Sequence, residues 1–298
     1  MSDSVQTSYG QILRSSSIIG GANALNYLVG LLRIKVVAVL LGPAGVGLIS
    51  LYTSAIALIG TVSGLGLGAS GVREVARAYG EDDLLQAART VRLLRRLCWV
   101  TGLLGWLLAI GLARPISQWL FDSPDDAAGI ALLGATLLAG AVGAGQLAIL
   151  RGLRRIGDLA RISVVSMLLT TAATLGLYAW LREEGIVPVL IATSLISLGV
   201  SWWFVRRVEV PAVPLTWGET LAGATPLLGL GLAFMWSALL VTGLDMATRA
   251  LITRAYGLDA AGLYQAAWAL SGMFAGFILG AMGADFYPRL TAAIRDPA

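Results

Sequence analysis

Apolar stretches of about 20 residues recur along the whole chain, and each is long enough to cross a lipid bilayer as an α-helix. We count about eight of them, at residues 16–41, 47–69, 97–112, 127–150, 162–181, 186–205, 221–243 with an extension, and 262–284. None alternates apolar and polar residues as the strands of membrane β-barrels do. The sequence therefore predicts an all-α polytopic membrane protein, because a helix satisfies its own backbone hydrogen bonds within lipid.

The composition agrees with that class and excludes several others. Only 13% of the 298 residues are charged, whereas soluble domains carry about 25%. The chain has no histidine and a single cysteine, Cys98, which excludes an internal disulfide, a multi-cysteine metal site and a histidine proton shuttle. Gly66, Gly68 and Gly71 match a dinucleotide-binding motif, but they end an apolar helix and do not join a strand to a helix. We therefore expect no enzyme activity, no cofactor and no metal.

Basic residues are unevenly distributed among the connecting loops. The segment before the first span and the loops after the second, fourth and sixth spans hold Arg14, Arg73, Arg77, Arg89, Arg92, Arg95, Arg96, Arg151, Arg154, Arg155, Arg161, Arg206 and Arg207. Positive residues stay on the cytoplasmic side of a membrane, so we expect the N-terminus in the cytoplasm. The same rule accounts for the net charge of +4 without a nucleic-acid partner.

Two basic residues, Arg33 and Lys35, lie inside the first apolar stretch. A charge at the bilayer centre costs about 2.5–3.5 kcal/mol on insertion scales, so an intramembrane charge marks a candidate functional site. Gly42, Pro43 and Gly45 follow directly and predict a break between the first helix and the second.

The same outline returns later in the chain. A shift that places Gly42 on Gly257 also places Gly47 on Gly262, and it brings the first span's arginine to within one residue of Arg249. A helix break and a charge therefore return together, which favours an internal repeat of the kind found in transporters.

Six apolar stretches separate the two copies, so both halves face the same way across the membrane. We therefore expect a parallel repeat, with a complete six-helix bundle at residues 1–212 and the first two helices of a second bundle at residues 213–298. A substrate path would run between the halves and be lined by the first and seventh spans.

Helical spacing places polar residues of these two spans on shared faces. Asn26 and Arg33 share one face of the first span, and Asp245 and Arg249 are spaced to pair on the seventh. Arginine binds phosphate through two parallel hydrogen bonds, and lysine acts as a point charge. We therefore predict that these residues and Lys35 bind the anionic pyrophosphate head of a lipid-linked substrate. Lys35 points about 160–200° away from Arg33, so an interfacial position for it stays open.

Three motifs carry a resemblance to a known family. They are GPAGVGL at residues 42–48, preceded by Lys35, GVREVA at residues 71–76 and GLDAAGLY at residues 257–264. They resemble O-antigen and enterobacterial common antigen flippases, the Wzx-type polysaccharide transporters of the MATE-like MOP superfamily.

The resemblance implies a function and a larger architecture. Such flippases move undecaprenyl-diphosphate-linked oligosaccharides, such as O-antigen repeat units, to the outer leaflet of the bacterial cytoplasmic membrane, with about twelve spans in two bundles. It also implies polar substrate-binding positions at Lys35, Asp245 and Arg249, and polysaccharide polymerase or assembly proteins as partners. This chain ends after its eighth predicted span, so we expect a fragment of a longer protein or a product inactive alone.

Three alternatives stay open. A MATE-like, cation-coupled antiporter of small molecules would need acidic residues deep in its cavity, and apart from Asp245 the spans hold almost none. An inactive fragment or scaffold in a polysaccharide assembly complex is favoured by the missing helices. A membrane glycosyltransferase or polymerase would need acidic or histidine-bearing outer loops, and these loops are short.

Overall fold

A computed structural model describes the backbone of residues 2–80, 84–208 and 213–295, and the side chains of residues 21, 24–80, 85–208, 213–225 and 227–276. The helices are α1 (Ser2–Gly64), α2 (Leu67–Gly80), α3 (Leu84–Phe121), α4 (Ala127–Gly152), α5 (Ile156–Leu181), α6 (Ile186–Val205) and α7 (Trp217–Arg295), with a short 3-10 helix, Arg182–Gly185, between α5 and α6. These described segments contain no strand.

Within the described residues, five helical stretches are apolar and long enough to cross a membrane. They are Ala24–Gly64, Leu85–Phe121, Ala127–Gly152, Ile156–Val205 and Leu227–Gly276. The protein is therefore an all-helical polytopic membrane protein, as the sequence predicts. Three of the stretches have 41 or 50 residues, about twice the 20 that one crossing needs.

α1 changes direction at Gly42, where φ is 69° and ψ is 178°. Glycine adopts this positive φ readily because it has no Cβ. We call the two segments α1a (residues 2–41) and α1b (residues 43–64). α1a runs along α5 in the same direction, because Asn26 contacts Ser163 near the start of α5, and Leu41 belongs to the same buried cluster as Tyr178 near its end.

α1b runs along α4 instead. Tyr52 lies against Gly129 at the start of α4, and Gly60 lies against Leu137 further along, so these two helices are parallel. α4 and α5 are joined by residues 153–155 and pack as an antiparallel pair. α1a and α1b are therefore antiparallel, and the chain reverses at the break between them.

α7 has the same construction. Its non-helical residue is Gly257, with φ 85° and ψ 176°, between segments α7a (residues 217–256) and α7b (residues 258–295). α7a packs antiparallel to α1b, and α7b packs antiparallel to α1a. The contacts are Thr61 with Thr242 for the first pair, in which Leu51 and Ala250 also share one buried cluster, and Gly30 with Met273 and Tyr27 with Gly276 for the second.

α1 ends at Gly64, before the end of the apolar stretch predicted at residues 47–69. Leu65 and Gly66 follow it as a turn with positive φ. A Cβ on Gly66 would overlap the carbonyl group of Gly231 in α7a. The observed helix is shorter than the predicted span because the backbone turns at this point and packs directly on α7a. Hydropathy does not reveal such a tertiary contact.

The start of α7 is fixed by its own side chains and by α3. The Glu219 carboxylate accepts hydrogen bonds from the backbone N–H and the hydroxyl of Thr216, both at 2.7 Å, which is a capping box. The Thr216 groups, with Arg89 and Arg96 nearby, hold the pKa of Glu219 below its ordinary value. Arg96 also donates to Thr220 Oγ1 at 2.7 Å, so α3 holds the first turn of α7.

Candidate functional site

A cavity of about 1210 Å³ lies among α1, α4, α5 and α6, and α7b contributes part of its wall. Its charged lining residues are Arg33 and Arg151, and Gln265 of α7b adds an amide. None of the lining residues within the described part of the chain is acidic. The cavity is therefore electropositive, and most of its wall belongs to α1, α4, α5 and α6, whereas the sequence predicts a path between two halves, lined by the first and seventh spans.

The cavity extends along most of α5. Its lining on that helix runs from Ile156 to Tyr178, which corresponds to about 33 Å at the helical rise of 1.5 Å per residue. The hydrocarbon core of a bilayer is about 30 Å thick. The cavity thus covers nearly the whole depth that a membrane substrate has to cross, and polar side chains recur along its largely apolar wall.

Hydroxyl groups lie on this wall at helical spacing. On α5 they belong to Ser163, Ser166, Thr170, Thr174 and Tyr178, and on α6 to Thr193, Ser194, Ser197 and Ser201. Several donate to a carbonyl on their own helix, as the α5 threonines do at 2.7 Å. Their oxygen lone pairs remain available to accept hydrogen bonds. The Ser166 hydroxyl is buried and has no partner among the described residues. Such a wall suits a polyhydroxylated ligand.

Arg33 is the predicted site residue that lines the cavity directly. It is half-buried and close enough to Tyr178 to interact with it electrostatically. No ion pair with Arg33 occurs in the part of the chain that the structure describes. Its guanidinium is therefore available to an anionic ligand.

Asn26 and Lys35 occupy different surroundings. The Asn26 side-chain amide donates to the Ser163 hydroxyl at 2.6 Å. Asn26 therefore holds a side chain of the cavity wall and does not line the cavity itself. Lys35 is exposed and does not line the cavity. This arrangement follows from the helical angle between Lys35 and Arg33, and it leaves the substrate-binding role of Lys35 a prediction.

Asp245 and Arg249 form an ion pair on α7a, as their spacing predicts. Arg249 is only 6% exposed, and its Nε donates to Gln265 Oε1 at 3.0 Å. Neither charged residue lines the cavity, but Gln265 does. Arg249 therefore reaches the cavity indirectly, by holding the Gln265 side chain across the break from α7a to α7b.

Two of the residues predicted to break the helices, Pro43 and Gly262, meet where α1 packs on α7. Gly42 and Gly257 carry the positive φ angles, and Pro43 and Gly45 lie in the first turn of α1b. A Cβ on Gly262 would overlap the carbonyl group of Pro43. The absence of a side chain at Gly262 thus permits backbone contact between the two reversals.

Several lining residues are not predicted from the sequence. The sequence predicts only a cytoplasmic loop charge at Arg151, and it assigns no role to Gln265. The hydroxyl series on α5 did leave a signal, because Ser163, Ser166 and Thr170 recur every three to four residues and define one helix face. Nothing in the sequence indicated that this face borders an open volume.

The fold is that of a multi-helix membrane transporter. The chain resembles an inward-facing multidrug resistance MATE family transporter of the MOP superfamily, with a TM-score of 0.68 at 18% identity over 87% of this chain and 60% of the other. It also resembles the MATE multidrug transporter DinF-BH, with a TM-score of 0.72 at 17% identity over 92% and 62% of the two chains. Identities this low establish the fold alone.

The sequence match is more specific. The family described as polysaccharide biosynthesis protein matches residues 12–293, and the chain belongs to that family. Proteins named lipid III flippase, from Escherichia coli K12 and Shigella flexneri, are 27% identical over 265 residues, which is 88% of this chain and 63% of each relative. The chain thus spans less than two thirds of the length of these relatives.

Proposed function

We propose that the protein is a flippase for lipid-linked oligosaccharides with a diphosphate head, acting in surface polysaccharide biosynthesis in the bacterial cytoplasmic membrane. The observation that carries the proposal is the membrane-deep cavity, which combines Arg33 with a hydroxyl wall and no acidic lining. Arginine pairs with diphosphate oxygens, and the hydroxyl wall hydrogen-bonds the glycan. The relatives named lipid III flippase support the same substrate class.

A parallel repeat underlies the proposed mechanism. The support for this repeat is that each of two contacts between α1 and α7 becomes another observed contact when the two copies are interchanged. The shift that places Gly42 on Gly257 converts the contact of Gly47 with Leu258 into that of Gly262 with Pro43. It likewise converts the contact of Thr61 with Thr242 into that of Gly276 with Tyr27. The pair α1a and α1b and the pair α7a and α7b would then be equivalent about a shared axis. Such pairs can rock against each other, as alternating access requires.

The proposal includes eight crossings and a cytoplasmic N-terminus. The reversals at Gly42 and Gly257 divide two of the long apolar stretches, and the connection between α5 and α6 divides a third. Five stretches then become eight crossings. The arginine-rich connections fall on one side of these crossings, which supports a cytoplasmic N-terminus. Residues 1–212 and 213–298 would contribute to separate bundles.

The MATE-like antiporter is disfavoured as a second function. A cationic substrate needs an acidic partner in a low-dielectric cavity. The lining residues include none, and Asp245 is already paired with Arg249.

The test is replacement of Arg33 in a host strain whose only copy of the gene carries the variant. Arg33→Gln keeps a polar N–H donor and removes the charge, so we expect surface polysaccharide to fall about tenfold or more, which corresponds to the loss of a charge-assisted hydrogen bond. Arg33→Lys should retain an intermediate level.

Arg114→Gln is the matched control, because Arg114 is an exposed arginine of α3 that lines no part of the cavity. Export should remain normal in that strain. Normal surface polysaccharide in the Arg33→Gln strain, at unchanged protein level, would falsify the assignment.

A further inference from the structure

Arg151 lines the same cavity as Arg33 but lies at its other end, in the last turn of α4. Ile156, the first residue of α5, lines that end too. The N-terminus of a helix carries a partial positive charge, so it adds to the field of the guanidinium. An anion at this end of the cavity would meet two sources of positive potential.

The nearby carboxylate is engaged elsewhere. Asp158 pairs with Arg155 at 2.7 Å and with Arg161 at 3.4 Å. Across the described residues, Arg151 takes part in no such pair. An arginine in a last helical turn also complements the helix dipole and follows the positive-inside rule. Neither role requires it to face a cavity.

The helix registers separate the two arginines. The bond from Asn26 to Ser163 places Arg33, seven residues later, about level with residue 170 of α5. Leu150 and Ile162 belong to one small buried cluster with Val205, which places Arg151 about level with residue 161. Roughly nine residues of α5 lie between these two levels and correspond to about 13 Å along the helix. This separation is far longer than the distance between the two phosphorus atoms of a diphosphate. The hydroxyl wall of α5 fills the interval.

We propose that Arg151 forms a second anion-binding subsite, which takes the diphosphate of a lipid-linked substrate at the cytoplasmic end of the cavity before Arg33 does. The inference rests on the proposed function for its substrate class and direction. Ser163 and Ser166, between the two subsites, would accept hydrogen bonds from the glycan as it moves.

The electrostatic part is tested with single cysteines in a Cys98→Ala background of the purified protein. Ala160→Cys reports near Arg151 and Val37→Cys near Arg33, since both positions line the cavity. The readout is the rate ratio of an anionic to a cationic reagent, sulfonatoethyl and trimethylammonioethyl methanethiosulfonate. Arg151→Gln should lower this ratio at Ala160→Cys about fivefold and change it less than twofold at Val37→Cys.

Arg154→Gln is the matched control, because Arg154 is an exposed arginine in the connection that directly follows α4 and does not line the cavity. It should leave both rate ratios unchanged. An Arg151→Gln result indistinguishable from that of Arg154→Gln overturns the subsite.

The binding part uses farnesyl diphosphate as the probe, with protection of each cysteine from labelling as the readout. Arg151→Gln should weaken protection mainly at Ala160→Cys, and Arg33→Gln mainly at Val37→Cys. Equal loss at both positions in either variant means one shared site and overturns the two-subsite arrangement. Equal protection by inorganic pyrophosphate assigns the subsite to soluble anions and overturns the lipid-linked assignment.

The two proposals fail in different ways. If both positions are protected but surface polysaccharide is normal in the Arg33→Gln strain, the flippase function is wrong and the pair of anion subsites stands. If export is lost in that strain while Arg151→Gln changes neither labelling nor protection, the function stands and the second subsite is wrong.

Discussion

The intramembrane charges differ in what surrounds them. Arg33 faces an open cavity, Arg249 is enclosed by Asp245 and Gln265, and Lys35 is exposed on the other side of its helix. A charge in an apolar stretch thus marks an unusual position, but its contacts determine whether it binds a ligand or holds the structure together.

Arg249→Met should destabilise the protein, because it leaves Asp245 without its partner and Gln265 without its donor. Breaking a buried ion pair costs about 3–5 kcal/mol. Asp245 is 32% exposed, which favours the lower end of that range. Thermal unfolding in detergent measures the effect.

The double variant Arg249→Met/Asp245→Leu is the control for this mechanism. It removes both charges, so no unpaired carboxylate remains and much of the stability should return. A double variant less stable than Arg249→Met would contradict the view that the unpaired charge causes the loss.

At the scale of single elements, helix ends are fixed by local chemistry and by neighbours together. Thr216 and Glu219 specify the start of α7 through a capping box that the sequence spacing contains. The end of α1 at Gly64 depends on the turn that packs against Gly231 of α7a, which no local pattern encodes.

The capping box should make the first turn of α7 sensitive to acid. The folded pKa of Glu219 is lowered, chiefly by the hydrogen bond from the Thr216 backbone N–H. Its contribution to stability is therefore complete above the unfolded pKa, about 4.3, and is lost as the pH falls through the lower folded value. Hydrogen exchange of the amides at residues 217–220 should accelerate over that range, after correction for intrinsic exchange.

Glu219→Gln serves as the comparison, since it keeps an acceptor but has no charge to titrate. Its exchange at these amides should be faster at neutral pH and should not change further on acidification. A wild-type protein with equally flat exchange would show that the carboxylate does not hold this turn.

For the whole molecule, the contact between the two reversals is the critical one. A Cβ on Gly262 would overlap the Pro43 carbonyl group, and one on Gly47 would overlap that of Leu258. Both obstacles are backbone atoms, which cannot move aside as a flexible side chain can. α1 and α7 therefore approach as closely as they do because these positions lack side chains.

Gly262→Ala should destabilise the protein by about 1–3 kcal/mol, the usual cost of overpacking, and should lower the Tm in detergent. Gly243→Ala, in α7a, is the control, because a Cβ there meets nothing within 4 Å. Its Tm should stay level or rise, since alanine is the better helix former. Equal Tm values for the two variants would mean that α1 and α7 separate at little cost.

The sequence by itself determined the class of fold, the two helix breaks and the pairing of Asp245 with Arg249, because hydropathy, glycine geometry and helical spacing are local properties. It also placed Arg33 among the functional candidates. The tertiary structure decided which polar faces border the cavity, that Arg151 and Gln265 belong to it, and that Lys35 does not. Those facts depend on how α4, α5 and α6 are arranged around α1a. Contacts between distant segments produce no periodic pattern in the sequence, so they cannot be predicted from it.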